Sequence, residues 1–552
     1  MQNHQQQFAY LRNEIKLFRE ELKNYGPASR TAEDADLKTD RISRKMDDSG
    51  TSLREALQKQ YYKIKPAGIK SSLSEKIFCA VVNYNENENA IRLRNNLSRY
   101  FDTALFDSDS RDPLPEFIRL ENVYYSGLFN KAYAVALEMG YTYLLFICSD
   151  VVFEETETDK MVAHLQTTDL SLIGIYSPAS DGRSHAYCKM QYAKGMRPVP
   201  FVEGFVFLTD MQVLKAIAPV DLDVNRYGWG LDVAKGFYSR KLGKLCVIDD
   251  GVTVFHPGET GYSNELAEKS MNNWIATFED EEFKAYYAIQ IGLLIRGLAG
   301  QYKVSVIVTC TSQAADLQET INSLLLQEHG SMEIFLLISD SSGPVVELAM
   351  DLCQTYVTIK LITLNAKGHA IARNEGLKAA SGDYIQFVRA GNILSVNKIS
   401  SQVYDFVIYP QTGISCSESR FGDAGRAKGT QGFSKQTNSD DLLLDLIENW
   451  NPEFPIPLDS FLFKRSVIGD IRFHAVSPEF QDWDFLLQMA GNQPNYLVQK
   501  KGFAWYHPNR ISAGSEKEFS EAGKKKCIQS AIESSRFTGK YLKALQKRLE
   551  EN

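Results

Sequence analysis

Two runs near the start of the ordered-looking part of this chain leave little choice of fold: KIFCAVVNY from Lys76 and YLLFICSD over 143–150 are almost continuously apolar and rich in strand-forming residues. A strand without a polar face must be covered on both sides, as in a parallel sheet flanked by helices. TALFD (103–107) and SLIGIYS (171–177) are further strands, and helix-like stretches such as FNKAYAVALEMG separate them. That alternation predicts an α/β domain. The same texture restarts after Gly300, with KVSVIVTC, EIFLLISD, KLITLN and DYIQFV as strands and LQETINSLLLQE and HAIARNEGLKAASG as helices. A separation of about 220 residues is the size of a domain, not of a solenoid repeat.

The flanks read differently. Phe8, Leu11, Ile15, Phe18, Leu22 and Tyr25 recur at alternating spacings of three and four, the seam of a short coiled coil that Gly26-Pro27 stops. An oligomerisation handle is the reading of that seam, against an amphipathic helix packed on its own domain. MNNWIATFEDEEFKAYYAIQIGLLIRGLAG links the two copies as a helical connector, and Lys525, Arg536, Lys540, Lys543, Lys547 and Arg548 make the C-terminus basic. Such a helix suits either solvent or an anionic membrane surface. The expected division is a coiled-coil segment over 1–70, a first α/β domain over 71–270, the connector over 271–300, a second domain over 301–515 and a basic helix over 516–552.

Of the 552 residues, 44% are apolar and 24% charged, proportions that exclude a mostly disordered, collagenous or membrane-embedded chain. With 61 basic against 69 acidic side chains, the net charge of -8 and the lack of a long basic stripe argue against a general nucleic-acid binder. Eight cysteines without a CxxC pair fit buried thiols of a reducing compartment better than disulfides or a zinc ribbon. The first residues lack the form of a signal peptide, and the apolar stretch Ala288 to Ala299 is too short to span a bilayer. A cytoplasmic protein is expected, in peripheral contact with the inner face of the membrane if its basic helix binds there. GxSxG, the P-loop GxxxxGK and HExxH do not occur, and Gly228, Gly230 and Gly236 do not follow a strand in the dinucleotide-binding pattern.

In an open α/β sheet the ligand site lies at the carboxyl ends of the strands. In the first copy those ends carry Asn83-Tyr84-Asn85, Asp107-Ser108-Asp109 and Ser149-Asp150, with YYSGLFNKAYAVALEMGYTYLLFICSDVVF leading to the last. This region resembles the GT-A glycosyltransferases of the family-2 type. The resemblance implies that both copies are GT-A domains, that Gly127 and Asn130 open the helix before the metal-binding strand, and that Asn83, Asp107, Gly127 and Asn130 line the nucleotide-sugar donor. It further implies that Asp150 holds Mn²⁺ or Mg²⁺ on the donor diphosphate, where a cation neutralises the departing charge. The family's motif is Asp-x-Asp, whereas here it is Cys148-Ser149-Asp150. Downstream, NRYGWGLDVAKGFYSRKLGKLCVIDDGVTVFHPGETGY resembles the acceptor region: Trp229 would offer a flat face to a sugar, with Glu203 beside it, Asp232 would be the base, and His256 a second metal ligand. The alternatives are a packed Trp229, a capping Asp232 and a core or capping His256.

The second copy resembles the same family through VSVIVTCTSQAADLQETINSLLLQE, EIFLLISDSSG, LNAKGHAIARNEGLKAASGDYIQFV and SPEFQDWDFLLQMA. By that resemblance Asp340 contacts the nucleoside, Lys367, Arg373 and Asn374 lie beside the diphosphate, Asp482 is the base and His507 the late histidine. Where two or three acids are expected, the chain reads Arg389-Ala390-Gly391-Asn392. Either Arg389 supplies fixed positive charge to the donor in place of the metal, or this domain has lost catalysis and serves packing or glycan binding.

The function so implied is inverting, metal-dependent transfer of a sugar from a nucleotide donor to a bacterial surface polysaccharide or lipid-linked saccharide by the first domain. A bifunctional enzyme and a non-catalytic glycan-binding scaffold are the alternatives, and the expected partners are donor, glycan acceptor and a second copy of the chain through the N-terminal helix.

Overall fold

The computed structural model describes Leu73 and residues 76–550, except 113, 193, 258–261, 296, 299, 311–313, 339–342, 365, 367, 422–440, 449–456, 475–479, 493, 507–520 and 535–536. The expected coiled coil over 1–70, and with it Asp340, Lys367 and His507, falls outside the described residues. Residues 66–552 form one compact unit.

Among the described residues sixteen strands make two sheets. The first contains β1 (Ile77–Asn83), β2 (Asp102–Ser108), β3 (Ile118–Leu120), β4 (Tyr143–Cys148), β5 (Ile173–Ser180), β6 (Met196–Pro198), β7 (Val206–Asp210) and β8 (Leu245–Val254). The second contains β9 (Val304–Cys310), β10 (Met332–Ile338), β11 (Ile359–Thr363), β12 (Tyr384–Arg389), β13 (Ile393–Leu394), β14 (Thr412–Phe421), β15 (Phe461–Lys464) and β16 (Asn495–Tyr506). Their orders are β3-β2-β1-β4-β7-β5-β8-β6 and β11-β10-β9-β12-β15-β14-β16-β13. The two sheets thus share one plan, except that the last edge strand leaves the chain after β5 in the first and before β14 in the second. All seven residues of β1 and of β9 are buried, which is why those runs carry no polar alternation.

In both sheets the strand order reverses between the first and fourth strands, which pair in parallel with matching register. Ile77 lies opposite Tyr143 and Val82 opposite Cys148, while Val304 lies opposite Tyr384 and Thr309 opposite Arg389. Cys148 and Arg389 are therefore equivalent positions, and two residues on, Gly391 stands where the first half has Asp150. Two asparagines confirm the equivalence. Asn130 donates from Nδ2 to Val220 O and accepts from Val220 N, both at 2.8 Å. Asn374 donates to Phe473 O and accepts from Phe473 N, both at 2.9 Å.

The connector is not a free linker. Helix Glu281–Ile295 brings Phe283 and Tyr286 against Phe237, with ring centroids 5.4 and 5.5 Å apart, and packs Ile289 and Leu293 against Val407 of the second half. Arg240 is buried and gives its guanidinium to the carbonyls of Val199, Pro200, Gly236 and, across the halves, Gln327. Met196 bridges to Tyr356. The basic C-terminus forms two helices, Glu521–Glu533 and Gly539–Glu550. Ile528 and Leu545 are in one core with Trp483 and Phe485, Arg548 lies 5.6 Å from the Trp483 ring, and Lys540 pairs with Asp441. The apolar side of that segment is thus spent on the protein's own core. Among the described residues no helix is long and apolar enough to cross a membrane.

The junction between halves contains a titrating acid. Glu328 is 3% exposed and accepts from Ser400 Oγ at 2.9 Å. Burial pushes its carboxyl up to about 7, against the pull of Arg240 and the Ser400 hydrogen bond. A folded-state value above the unfolded one means that the folded protein keeps a proton the unfolded chain releases. Its contribution is complete below the unfolded value of about 4.5 and is lost as pH rises through about 7. Glu328→Gln is therefore expected to stabilise the protein more at pH 8 than at pH 5, by up to about 3 kcal/mol. Denaturant unfolding of both proteins at both pH values measures the difference, and an equal effect at the two pH values would refute it.

Candidate active site

The carboxyl edge of the first sheet is held together by buried polar side chains. Asn83, 1% exposed, donates to Asn87 Oδ1 and Asp107 Oδ1 at 2.8 Å and to Ser110 Oγ at 3.1 Å, and it accepts from Ser149 Oγ at 2.9 Å. Asp107 is fully buried and also accepts from the backbone N–H and hydroxyl of Ser110. Asn83 and Asp107 thus fasten the loops at this edge. Asn130 is likewise consumed by its clamp on Val220. Gly127 is buried in the first turn of helix Tyr124–Glu138, where a Cβ would meet the Val123 side chain at 2.2 Å, so its smallness serves packing. What the edge exposes instead is Tyr84, at 54%, directly after β1.

Asp150 and His256 are brought together from β4 and the end of β8. His256 Nε2 lies 3.5 Å from Asp150 Oδ2, and the imidazole stacks on Phe205 with centroids 4.4 Å apart. Asp150 Oδ1 and His256 Nδ1 are both buried without a hydrogen-bond partner. Burial alone would lower the His256 pKa, but the hydrogen bond and charge of Asp150, with Glu203 further off, outweigh it and raise it. A carboxylate and an imidazole with orphaned buried atoms fit a divalent cation. Among the described residues no third His, Cys, Asp or Glu joins them, so water and ligand oxygens would complete the coordination.

Asp232 is the second residue of helix Leu231–Lys241, whose entry is the Gly-Trp-Gly turn. Gly228 has φ +80°, and a Cβ there would meet the Tyr125 ring at 2.2 Å; Gly230 has φ +89°. The buried Asn225 fixes the turn by accepting from Gly228 N at 3.1 Å and donating to Trp229 O at 2.9 Å. Burial raises the Asp232 pKa, Glu203 adds to the rise, and Lys235 and His185 oppose it. Lys235, three residues on along the same helix, is fully buried. Its ammonium lies 3.2 Å from the centroid of Phe207 and has no hydrogen-bond partner. Burial lowers its pKa to about 8 against the support of Asp232.

Trp229 donates from Nε1 to Tyr262 Oη at 3.1 Å, Tyr227 lies 4.8 Å from Tyr262, and Tyr124 lies 5.3 Å from Tyr227. These four rings form an aromatic wall beside Asp232. Tyr124 takes a left-handed φ of 53°, a conformation that costs a non-glycine residue of order 1–3 kcal/mol and is concentrated at functional sites. Glu203 is tied to the loop above, accepting from His185 N at 3.1 Å. Lys235, His185, Tyr124, Tyr227 and Tyr262 were not singled out from the sequence, and Tyr84 was placed at the strand end without a role. The one usable signal was the spacing of three between Asp232 and Lys235, which looks in isolation like an ordinary solvated helix pair.

The equivalent edge of the second sheet is built from cations. Asp482 is again the second residue of its helix, Gln481–Gly491. Arg373 Nη1 lies 2.5 Å from Asp482 Oδ1, and Arg389 Nη2 lies 3.9 Å from Asp482 Oδ2. Although burial pushes the Asp482 pKa up, the two arginines outweigh it and hold it below the usual carboxylate range. His369, hydrogen-bonded to Thr309 Oγ1 at 3.1 Å, is kept neutral, with a pKa near 3, by burial and by the charges of both arginines.

The two α/β sheets share one plan, and each carries its chemistry-bearing residues beyond the strand-order reversal. Residues 305–466 match the sequence model described as Glycosyl transferase family 2, so the second half carries a domain of that family. An uncharacterized glycosyltransferase of Rickettsia conorii is 33% identical over 101 residues, 18% of this chain and 17% of its own. Poly-beta-1,6-N-acetyl-D-glucosamine synthase of Staphylococcus epidermidis is 27% identical over 111 residues, 20% and 27% of the two chains. UDP-Glc:alpha-D-GlcNAc-diphosphoundecaprenol beta-1,3-glucosyltransferase of Escherichia coli is 33% identical over 103 residues, 18% and 40%. The chain thus spans well under two thirds of the length of each of these relatives. The structure of S. aureus TarS in complex with UDP aligns with a TM-score of 0.35 and 15% identity, over 45% of this chain and 70% of that one.

Proposed function

We propose that the first half transfers a sugar, with inversion, from a nucleotide-sugar donor to a hydroxyl of a glycan or lipid-linked saccharide. The observation that carries this reading is the pair Asp150 and His256, with its two orphaned buried atoms, on the same sheet edge as Asp232 and an aromatic wall. Asp150 and His256 would hold Mn²⁺ or Mg²⁺, which supplies positive charge to the donor diphosphate. Tyr84 is the surface for the nucleobase. Trp229, Tyr227 and Tyr262 give flat apolar faces to the acceptor ring. Asp232 takes the proton of the acceptor hydroxyl as its oxygen bonds to the anomeric carbon and the bond from that carbon to the diphosphate oxygen breaks. Glu203 orders the loop that carries His185 and acts on the acceptor only through that loop. The named activities of the matching relatives, a polysaccharide synthase and a glucosyltransferase acting on a lipid diphosphate, support the substrate class.

The second half is assigned no transfer. Gly391 replaces the metal-binding carboxylate, and Asp482, ionised and gripped by Arg373, is a weak proton acceptor. The bifunctional reading therefore has less support than a single active centre.

The test is nucleotide release from a panel of UDP-, GDP-, dTDP- and CMP-sugars with Mn²⁺ or with EDTA. Slow release from one donor in Mn²⁺, lost in EDTA, is the expected result. If no sugar nucleotide is bound or hydrolysed in either condition, the transferase reading fails and the non-catalytic scaffold takes its place.

A further inference from the structure

A cavity of about 270 Å³ lies where the two halves meet. Gln191, Tyr192 and Arg197 line it from the first half, Arg197 as the middle residue of β6. From the second half come Lys303, Ser331 and Thr358, which immediately precede β9, β10 and β11. This is the amino edge of the second sheet, opposite the edge at which α/β sheets hold their nucleotides.

The walls are fixed by packing and hydrogen bonds. Gly330 also lines the cavity, and a Cβ there would meet Pro200 Cδ at 2.4 Å and the Tyr187 ring at 2.9 Å, so the halves close tightly beside it. Arg197 is 1% exposed and donates to Asp250 Oδ2 at 2.9 Å, to Asp250 Oδ1 at 3.1 Å and to the carbonyls of Tyr187 and Lys189 at 2.8 Å. Those bonds leave one of the five N–H groups of a guanidinium. Lys303 donates to Glu333 Oε2 at 2.9 Å and to Ser381 Oγ at 3.1 Å, which leaves one of the three of an ammonium. Glu333 is shared with Lys360 at 3.0 Å, so it neutralises neither lysine completely. The Asp250 and Glu333 side chains are 0% and 2% exposed and do not line the cavity. A ligand there meets the two cations and not their counter-ions.

Two cations with one N–H each to give suit a single anionic group. The hydroxyls of Tyr192, Ser331 and Thr358 and the Gln191 amide offer both donors and acceptors, as a ring bearing several hydroxyls requires, and Met332 adds an apolar face. We infer that the junction is a binding site for an acidic sugar, one ring carrying a phosphate or a carboxylate. A free sugar phosphate and an acidic residue of a glycan share that chemistry. Because both halves line the cavity, the ligand ties them together and stabilises the folded chain. The inference is independent of the transfer proposed for the first half.

Calorimetric titration of the full chain in EDTA tests it, with glucose, galactose and mannose, their 6-phosphates, their uronic acids and inorganic phosphate as probes. At least one acidic sugar is expected to bind about tenfold or more tighter than its parent sugar or phosphate alone, and to raise the melting temperature. Tighter binding of a 6-phosphate would identify the ligand as a free sugar phosphate, and tighter binding of a uronic acid as a glycan residue. Lys303→Met should weaken binding by about tenfold or more, as loss of a hydrogen bond between charged groups does. Lys360→Met takes the other ammonium from Glu333 and should leave binding unchanged, which separates contact with the ligand from support of that carboxylate. Arg389→Gln should also leave it unchanged, since Arg389 belongs to the opposite edge. Thermal melts of the variants distinguish lost binding from lost folding. Failure of every acidic sugar to bind, equal losses in Lys303→Met and Lys360→Met, or a loss in Arg389→Gln and not in Lys303→Met would overturn the inference.

Discussion

Asp232→Asn is expected to lower sugar transfer by about 100- to 10,000-fold while leaving Mn²⁺-dependent donor binding intact, the range lost when a positioned general base is removed. The substitution keeps the shape of the side chain and its place in the first helical turn, so the loss would fall on proton removal and not on folding. The pH dependence carries further information. Burial raises the Asp232 pKa, and a base works only when ionised, so activity should climb with pH through an apparent value above the usual aspartate range. Lys235 opposes that rise from the same helix, and Lys235→Met, of similar volume, should move the acidic limb to higher pH. A Lys235→Met enzyme with an unshifted limb would separate Lys235 from the base. Full activity in Asp232→Asn would remove Asp232 from the chemistry altogether.

The architecture was legible because the buried strands carry no alternation: KIFCAVVNY and KVSVIVTC read as two-sided strands, and all seven residues of β1 and of β9 are buried. The duplication was legible for the same reason. The site was legible only where one residue type points one way. Asp150 at a strand end and Asp232 after a Gly-Trp-Gly turn were expected site residues that come to one edge of the sheet, whereas the polar groups of Asn83, Asp107 and Asn130 are engaged in hydrogen bonds and Gly127 packs against Val123, none of which the spacing foretold. Sequence spacing says which edge of a sheet a residue reaches and not whether its hydrogen bonds are already spent. The aromatic wall was hidden for a further reason: Tyr124, Tyr227 and Tyr262 come from three separated segments and meet only after the Gly228 turn folds against Tyr125. At the basic C-terminus the charge is conspicuous in the sequence, while its apolar residues, Ile528 and Leu545 among them, pack in the core of the second half.

Asp150→Ala should reduce transfer by on the order of 1,000-fold, the several kcal/mol that a cation at a departing diphosphate supplies. The second half shows an edge without this carboxylate: Gly391 stands in its place, and Arg373 and Arg389 lie against Asp482. In the first half the equivalent of Arg389 is Cys148, a thiol that burial keeps protonated, and Lys235 is buried against Phe207. His256→Ala should cost less, because one carboxylate with water and phosphate oxygens still accommodates Mg²⁺ or Mn²⁺. Its signature should be a higher Mn²⁺ concentration for half-maximal rate, with the rate largely recovered at saturation. Steady-state rates across a Mn²⁺ titration distinguish the two variants, and an Asp150→Ala enzyme with wild-type rate and metal response would place the cation elsewhere.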